Sequence, residues 1–178
     1  MNYETIDKCS VSNGLGIRVV LWVSGCSIHC YRCHNPQTWD FNSGQLFTES
    51  TMQELLELIG KPYIKGFTLS GGHPLDPRNA DEVYRITNRV RQAYPSKSIW
   101  LYTGYTWEQI IEEDKIYEDH EVNSPSPLDV VKLCDVLVDG AYIDELRDIS
   151  LAFRGSSNQR IIDVPKSLEQ NKVILWQE

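Results

Sequence analysis

The chain has 178 residues, 41% hydrophobic and 24% charged, enough for one well-buried core and few for two. A formal net charge of -8 argues against a phosphate-tracking surface, so no nucleic-acid partner is expected. The longest apolar run, around Val19 to Val23, falls far below the roughly 20 residues of a membrane span, so no membrane is expected either. Met1 to Ser12 lacks the basic start and apolar stretch of a signal peptide, which points to the reducing cytoplasm.

In chain order, the first predicted strand is Ile17 to Val23. Thr51 to Ile59 follows as a helix, with Met52, Leu55, Leu56 and Ile59 at helical spacing and Ser50 or Thr51 as the N-cap. Gly66 to Ser70 is the second strand. Asn79 to Tyr94 is a longer helix with Val83, Ile86, Val90 and Ala93 on one stripe, closed by Pro95. Strands at Ser98 to Tyr102 and Asp135 to Val138 flank a short helix at Thr106 to Glu113 and a loop insertion at residues 114–127, where Asn123 and Pro125 join acidic residues. After Ile149 the chain is irregular, with short apolar pieces at Ile161-Ile162 and Val173 to Trp176.

Strands alternating with helices imply parallel pairing and right-handed crossovers, hence a single-domain α/β fold with a mostly parallel sheet, open or barrel-like. In such folds ligands gather at the carboxyl ends of the strands. Those ends read Ser24-Gly25-Cys26, Ser70-Gly71-Gly72-His73, Thr103-Gly104-Tyr105 and Asp139-Gly140. Each carries glycine beside small or polar residues, as a shared binding rim requires. Gly71 and Gly72 lack Cβ atoms, so their backbone can approach a ligand closely.

Five cysteines cannot all pair, and Cys26, Cys30 and Cys33 lie on one loop directly after the first strand. Clustered thiols in a reducing compartment point to metal or redox chemistry. A CxxxCxxC supplies one thiolate fewer than a closed structural zinc site or an all-cysteine 4Fe-4S cluster needs. Two readings stay open on spacing alone. One is a zinc site completed by His29, His34 or Cys134; the other is a cubane with one iron left for a small molecule. Cys9 and Cys134 read as buried small hydrophobes, Trp22 and Trp100 as core residues, and Asp139 as either a cavity or a turn residue.

CxxxCxxC after a first strand resembles the signature of the radical-SAM superfamily. Asn13-Gly14-Leu15-Gly16-Ile17-Arg18, Ser24-Gly25-Cys26 and Cys33-His34-Asn35 resemble the N-terminal stretch of glycyl-radical-enzyme activases. Trp100 to Tyr105, Val138-Asp139-Gly140 and Arg154 to Arg160 look like the branch that acts on anaerobic ribonucleoside-triphosphate reductase. The resemblance implies a partial (β/α) barrel and one 4Fe-4S cluster on Cys26, Cys30 and Cys33. It also implies S-adenosylmethionine (SAM) held near Arg32, Cys33, His34, Ser70, Gly71, Gly72 and His73. It implies reductive cleavage of SAM to a 5'-deoxyadenosyl radical that makes a glycyl radical on the large reductase subunit. A reductant protein such as flavodoxin is implied as a second partner, and no side chain is implied as general acid or base. His73 stands where the family usually has an acidic residue, and Arg32 where many members carry an aromatic or small one. A pyruvate formate-lyase-type activase, a small-molecule radical-SAM enzyme and a zinc-binding adaptor are the alternatives; the block from Arg154 to Arg160 favours the reductase branch.

Overall fold

The computed structural model describes residues 1–120 and 123–177. Its strands are β1 (Asn2–Ser10), β2 (Arg18–Val23), β3 (Gln45–Leu46), β4 (Gly66–Gly71), β5 (Ser98–Tyr102), β6 (Val136–Asp139) and β7 (Arg160–Asp163). They form one sheet in the order β3-β1-β2-β4-β5-β6-β7. Helices α1 (Glu49–Ile59), α2 (Pro77–Ala93), α3 (Trp107–Asp119) and α4 (Pro127–Lys132) lie between the strands, and α5 (Val164–Gln170) follows β7.

The expected mostly parallel sheet is corrected to a mixed one. β2, β4, β5 and β6 pair in parallel, whereas β1 is antiparallel to both β2 and β3, and β7 is antiparallel to β6. The split follows which connections carry a crossover helix. A parallel return needs a crossover of a dozen or more residues, supplied here by α1, α2 and the α3-α4 pair. A short turn joins β1 to β2, and the β6-β7 connection carries only a single 3-10 turn at Asp144–Leu146, so neither builds a crossover helix.

Alternation along the parallel strands sorts two faces. Val19, Leu21, Val23, Phe67, Leu69, Ile99, Leu101 and Leu137 turn toward the helices and pack with Met52, Leu55, Ile59, Val83, Ile86 and Val90. Full burial of one such side chain is worth about 2 kcal/mol. The opposite face holds Trp100, Val136 and Val138, packed against Phe153, Ile161 and Trp176. Arg18 is fully buried there, 5.4 Å from the Trp100 ring centroid. Its donors reach Thr68 Oγ1, Ser98 Oγ and the carbonyls of Leu15, Phe67 and Ser98. Burial pulls its pKa down to about 10.

Several expectations shift in detail. α1 starts earlier than predicted because Thr48 is its N-cap and Thr51 completes a capping box at N3. Residues 114–119, expected as loop, are helical: a capping box of Thr106 and Gln109 starts α3, and a Lys115-Glu112 ion pair of 3.0 Å supports it. Residues 121 and 122 of that expected insertion lie outside the described residues, and its end at Pro127 opens α4. Cys9 is exposed on β1 instead of buried, because it lies beside a register shift between Asp7 and Ser10. Trp100 is buried as expected, Trp22 only half-buried. No helix among the described residues is long and apolar enough to cross a membrane.

Candidate cluster and cofactor site

The loop after β2 is folded mainly by its own backbone. Gly25 N-H donates to Thr38 O at 2.7 Å, Cys26 N-H to Trp39 O at 3.1 Å and Cys33 N-H to Cys30 O at 3.1 Å. Asn35 N-H donates to Cys33 Sγ at 3.3 Å, a contact that suits a thiolate. His29 and Arg32 take left-handed backbone angles, φ 49° and 54°, which fold the loop back between its cysteines. The result is a cavity of about 130 Å³ whose walls include all three thiols. Burial raises the Cys30 thiol pKa, with a nearby backbone hydrogen bond opposing the shift.

The facing walls come from the other strand ends: Ser70 to His73 after β4, Thr103 and Gly104 after β5, and Gly140 to Tyr142 after β6. The rim expected from the strand-end rule is thus gathered around the thiols. At Gly71 (φ +104°) a Cβ would come within 2.6 Å of the Val23 backbone, and at Gly72 it would strike the Gly25 carbonyl. Close backbone stacking therefore requires both glycines, and it is what lets the β4 end form a wall of the cavity.

Asn79, in the first turn of α2, holds two walls together. Its Nδ2 donates to Ser24 O at 3.0 Å, Gly25 O at 3.3 Å and His73 O at 3.1 Å while the side chain is buried. Asp76, the α2 N-cap, accepts from Ser27 Oγ at 2.6 Å and adds a second tie to the cysteine loop. No sequence signal marked Asn79, because its acceptors are carbonyls brought in by the topology.

His73 is buried and lines the cavity. Its Nε2 lies 2.8 Å from Thr103 Oγ1, its ring meets Tyr105 edge-on at 4.4 Å, and its Nδ1 is buried with no partner among the described residues. Burial holds its pKa down to about 4, so the ring is neutral at physiological pH. Arg32 and His34, expected beside SAM, are not brought to this cavity. Arg32 is paired with Asp144 at 3.0 Å, and the His34 ring packs edge-on against Tyr142 at 5.5 Å. Both contacts fasten the cysteine loop to the β6-β7 connection. Tyr142 and Gln159, which the motifs did not single out as contacts, do line the cavity.

The residues suit a thiolate-bound cluster. Three soft donors share one cavity, and a buried imidazole nitrogen beside them lacks a partner. The side chains considered as a fourth zinc ligand are engaged elsewhere: Cys134 is buried with its thiol on Val130 O at 3.4 Å, and His29 stacks on Trp39 at 4.4 Å. Among the described residues no three His, Cys, Asp or Glu side chains converge on a single-ion site. A roomier cavity of about 510 Å³ lies at the opposite ends of the strands, beneath Trp100 and Trp176, and carries no thiol.

A family model described as a 4Fe-4S single cluster domain matches residues 12–162, which places the chain in a class of iron-sulfur proteins. The chain is 42% identical over 161 residues to the anaerobic ribonucleoside-triphosphate reductase-activating protein of Enterobacteria phage T4, covering 90% of this chain and 93% of that one. The proteins of the same name from Escherichia coli K12 and Haemophilus influenzae are 38% and 36% identical, over 89% and 90% of this chain and 96% and 97% of theirs. The chain belongs to this family of reductase-activating proteins.

Proposed function

We propose that this chain is a radical-SAM activating enzyme for an anaerobic ribonucleoside-triphosphate reductase, with Cys26, Cys30 and Cys33 holding one 4Fe-4S cluster. The observation that carries the reading is the single cavity in which three thiols face the glycine-rich ends of parallel strands. Such a cluster, when bound, supplies reductive cleavage of SAM to a 5'-deoxyadenosyl radical, which removes hydrogen from a glycine of the large reductase subunit.

The chain's own contribution is binding, orientation and exclusion. Three cysteines leave one cluster position for SAM. Ser70, Gly71 and Gly72 offer backbone groups at a wall that side chains do not obstruct. His73 presents a neutral nitrogen where the family usually has an acidic residue. Tyr102, Trp39 and Ile28 supply apolar surface that keeps water and stray hydrogen donors from the site. Four parallel strands with helices on one face support the partial-barrel reading, the face with Trp100 being its inside. The net charge of -8 supports a protein partner over nucleic acid, and free thiols at the site support a reducing cytoplasmic setting with a donor such as flavodoxin.

Anaerobic reconstitution with iron and sulfide, then addition of SAM, a reductant and the large reductase subunit, tests the reading. The expected result is a brown protein, methionine release and a glycyl-radical paramagnetic signal. Metal analysis returning zinc alone, or a reconstituted cluster whose spectrum ignores SAM, would overturn it.

A further inference from the structure

The cavity of about 510 Å³ at the amino ends of the parallel strands takes no part in the cluster chemistry, since the thiols lie at the other end of the sheet. Its walls include Leu15 and Gly16 in the turn before β2, Lys65, Ser98 and Asp135 at the starts of β4, β5 and β6, and Trp176 near the end of the chain. A volume of this order is within the range of small-molecule sites.

Ring surface, charge and a spare donor define what fits there. Trp100 and Trp176 both line the cavity and meet edge-on, with centroids 5.2 Å apart at 70°, a wall that suits a planar ring. The charge behind that wall is positive. Arg18 is buried against Trp100, and every acceptor of its N-H groups is a hydroxyl or a carbonyl, with no carboxylate paired to it among the described residues. A buried cation without a counter-ion is stabilised by an anion brought close to it. At the rim Lys65 likewise has no ion pair among the described residues, whereas Asp135 is taken by Arg91 at 2.6 Å and Asp163 by Lys166 at 2.8 Å. Ser98 Oγ accepts from Arg18 Nη1 at 2.8 Å, and its own hydrogen meets no acceptor among the described residues. A hydroxyl polarised by a guanidinium in this way is a good donor to an anion.

We propose that this cavity binds a small planar aromatic ligand bearing one anionic group. The ring lies against Trp176 and Trp100, and the anion accepts a hydrogen bond from Ser98 Oγ and meets the ammonium of Lys65. Arg18 acts through Ser98 and through its charge, without touching the ligand. Asp135 and Asp163 stay at the rim, so a second negative charge is opposed. Gly16 serves the same arrangement: a Cβ there would strike the Lys65 Cγ at 2.7 Å, so glycine lets the lysine stem lie against the turn. The site is independent of the activase reading and lies apart from the cysteine cavity.

The test titrates the reconstituted protein with naphthoate, and with naphthalenemethanol and naphthylmethylamine as its neutral and cationic counterparts, while heteronuclear NMR follows the indole N-H signals of Trp100 and Trp176. Naphthoate should bind tightest and the amine weakest, and both indole signals should move. Lys65→Gln should weaken naphthoate by roughly fivefold and leave the alcohol unchanged. Trp176→Ala should weaken both, because it removes ring surface and not charge. SAM affinity should be the same in both variants as in the wild-type protein. An amine that binds as tightly as naphthoate, an unchanged naphthoate affinity in Lys65→Gln, or indole signals that do not move would each overturn the assignment. Loss of SAM affinity in Lys65→Gln would overturn it as well, by removing the separation between the two cavities.

Discussion

His73 has a buried ring whose pKa falls from 6.5 to about 4, and that shift sets this group's contribution to the pH dependence of stability. Between these values the unfolded chain binds a proton that the folded chain does not, so the contribution of His73 is present above pH 6.5 and is lost as the pH falls toward 4. From pH 7 to pH 5 the loss from this one group is about 2 kcal/mol. Chemical denaturation at the two pH values should show it. In His73→Gln the same pH step should be shallower by about that amount, and an identical pH profile for the variant would refute the account. The cysteine spacing was readable as chemistry at this scale because three thiols on one loop need no knowledge of the fold. The contacts of Arg32 and His34 were not readable. Their partners Asp144 and Tyr142 lie more than a hundred residues further on, and those contacts turn both side chains to the β6-β7 connection.

Helix α2 does more than cover the sheet, since its first turn carries the amide that joins the β2 and β4 ends. Asn79→Ala leaves the Ser24, Gly25 and His73 carbonyls without that donor, for an expected loss of about 2 kcal/mol. The loss should show in chemical denaturation, with iron retained less firmly after reconstitution because the cysteine loop loses an anchor. Unchanged stability and iron retention would mean that other contacts hold the loop. The strands and helices read correctly from sequence are those with strong periodicity, such as Val83, Ile86 and Val90 on α2. β1 escaped notice because Asn2–Ser10 reads NYETIDKCS, with only scattered apolar residues and a pairing made possible by β2. α4 has six residues, too few for a period to show, and β7 is legible only as Ile161-Ile162. The antiparallel flanks of the sheet are set by which connections lack a full helix, and that was missed when all strands were given one pairing rule.

The whole molecule rests on the sheet-helix core, and none of the three loop cysteines belongs to that apolar cluster. A Cys26, Cys30, Cys33 to Ala triple variant should therefore keep a native far-ultraviolet dichroism spectrum and cooperative unfolding, while losing iron and SAM-dependent spectral change. Loss of the native spectrum would show that the loop is needed for folding. The mixed sheet has one more consequence, for self-association. Beyond Tyr3 the outer side of β1 has no strand partner among the described residues, and an open strand edge is a template for pairing with another chain. Here that edge is kinked by register shifts on either side of Thr5 to Asp7 and carries Glu4, Asp7 and Lys8. Bulges and charge make it a poor template for a second copy. Strand-swapped dimers and sheet-to-sheet growth are thus disfavoured in the folded protein, even at the high concentrations used for anaerobic reconstitution.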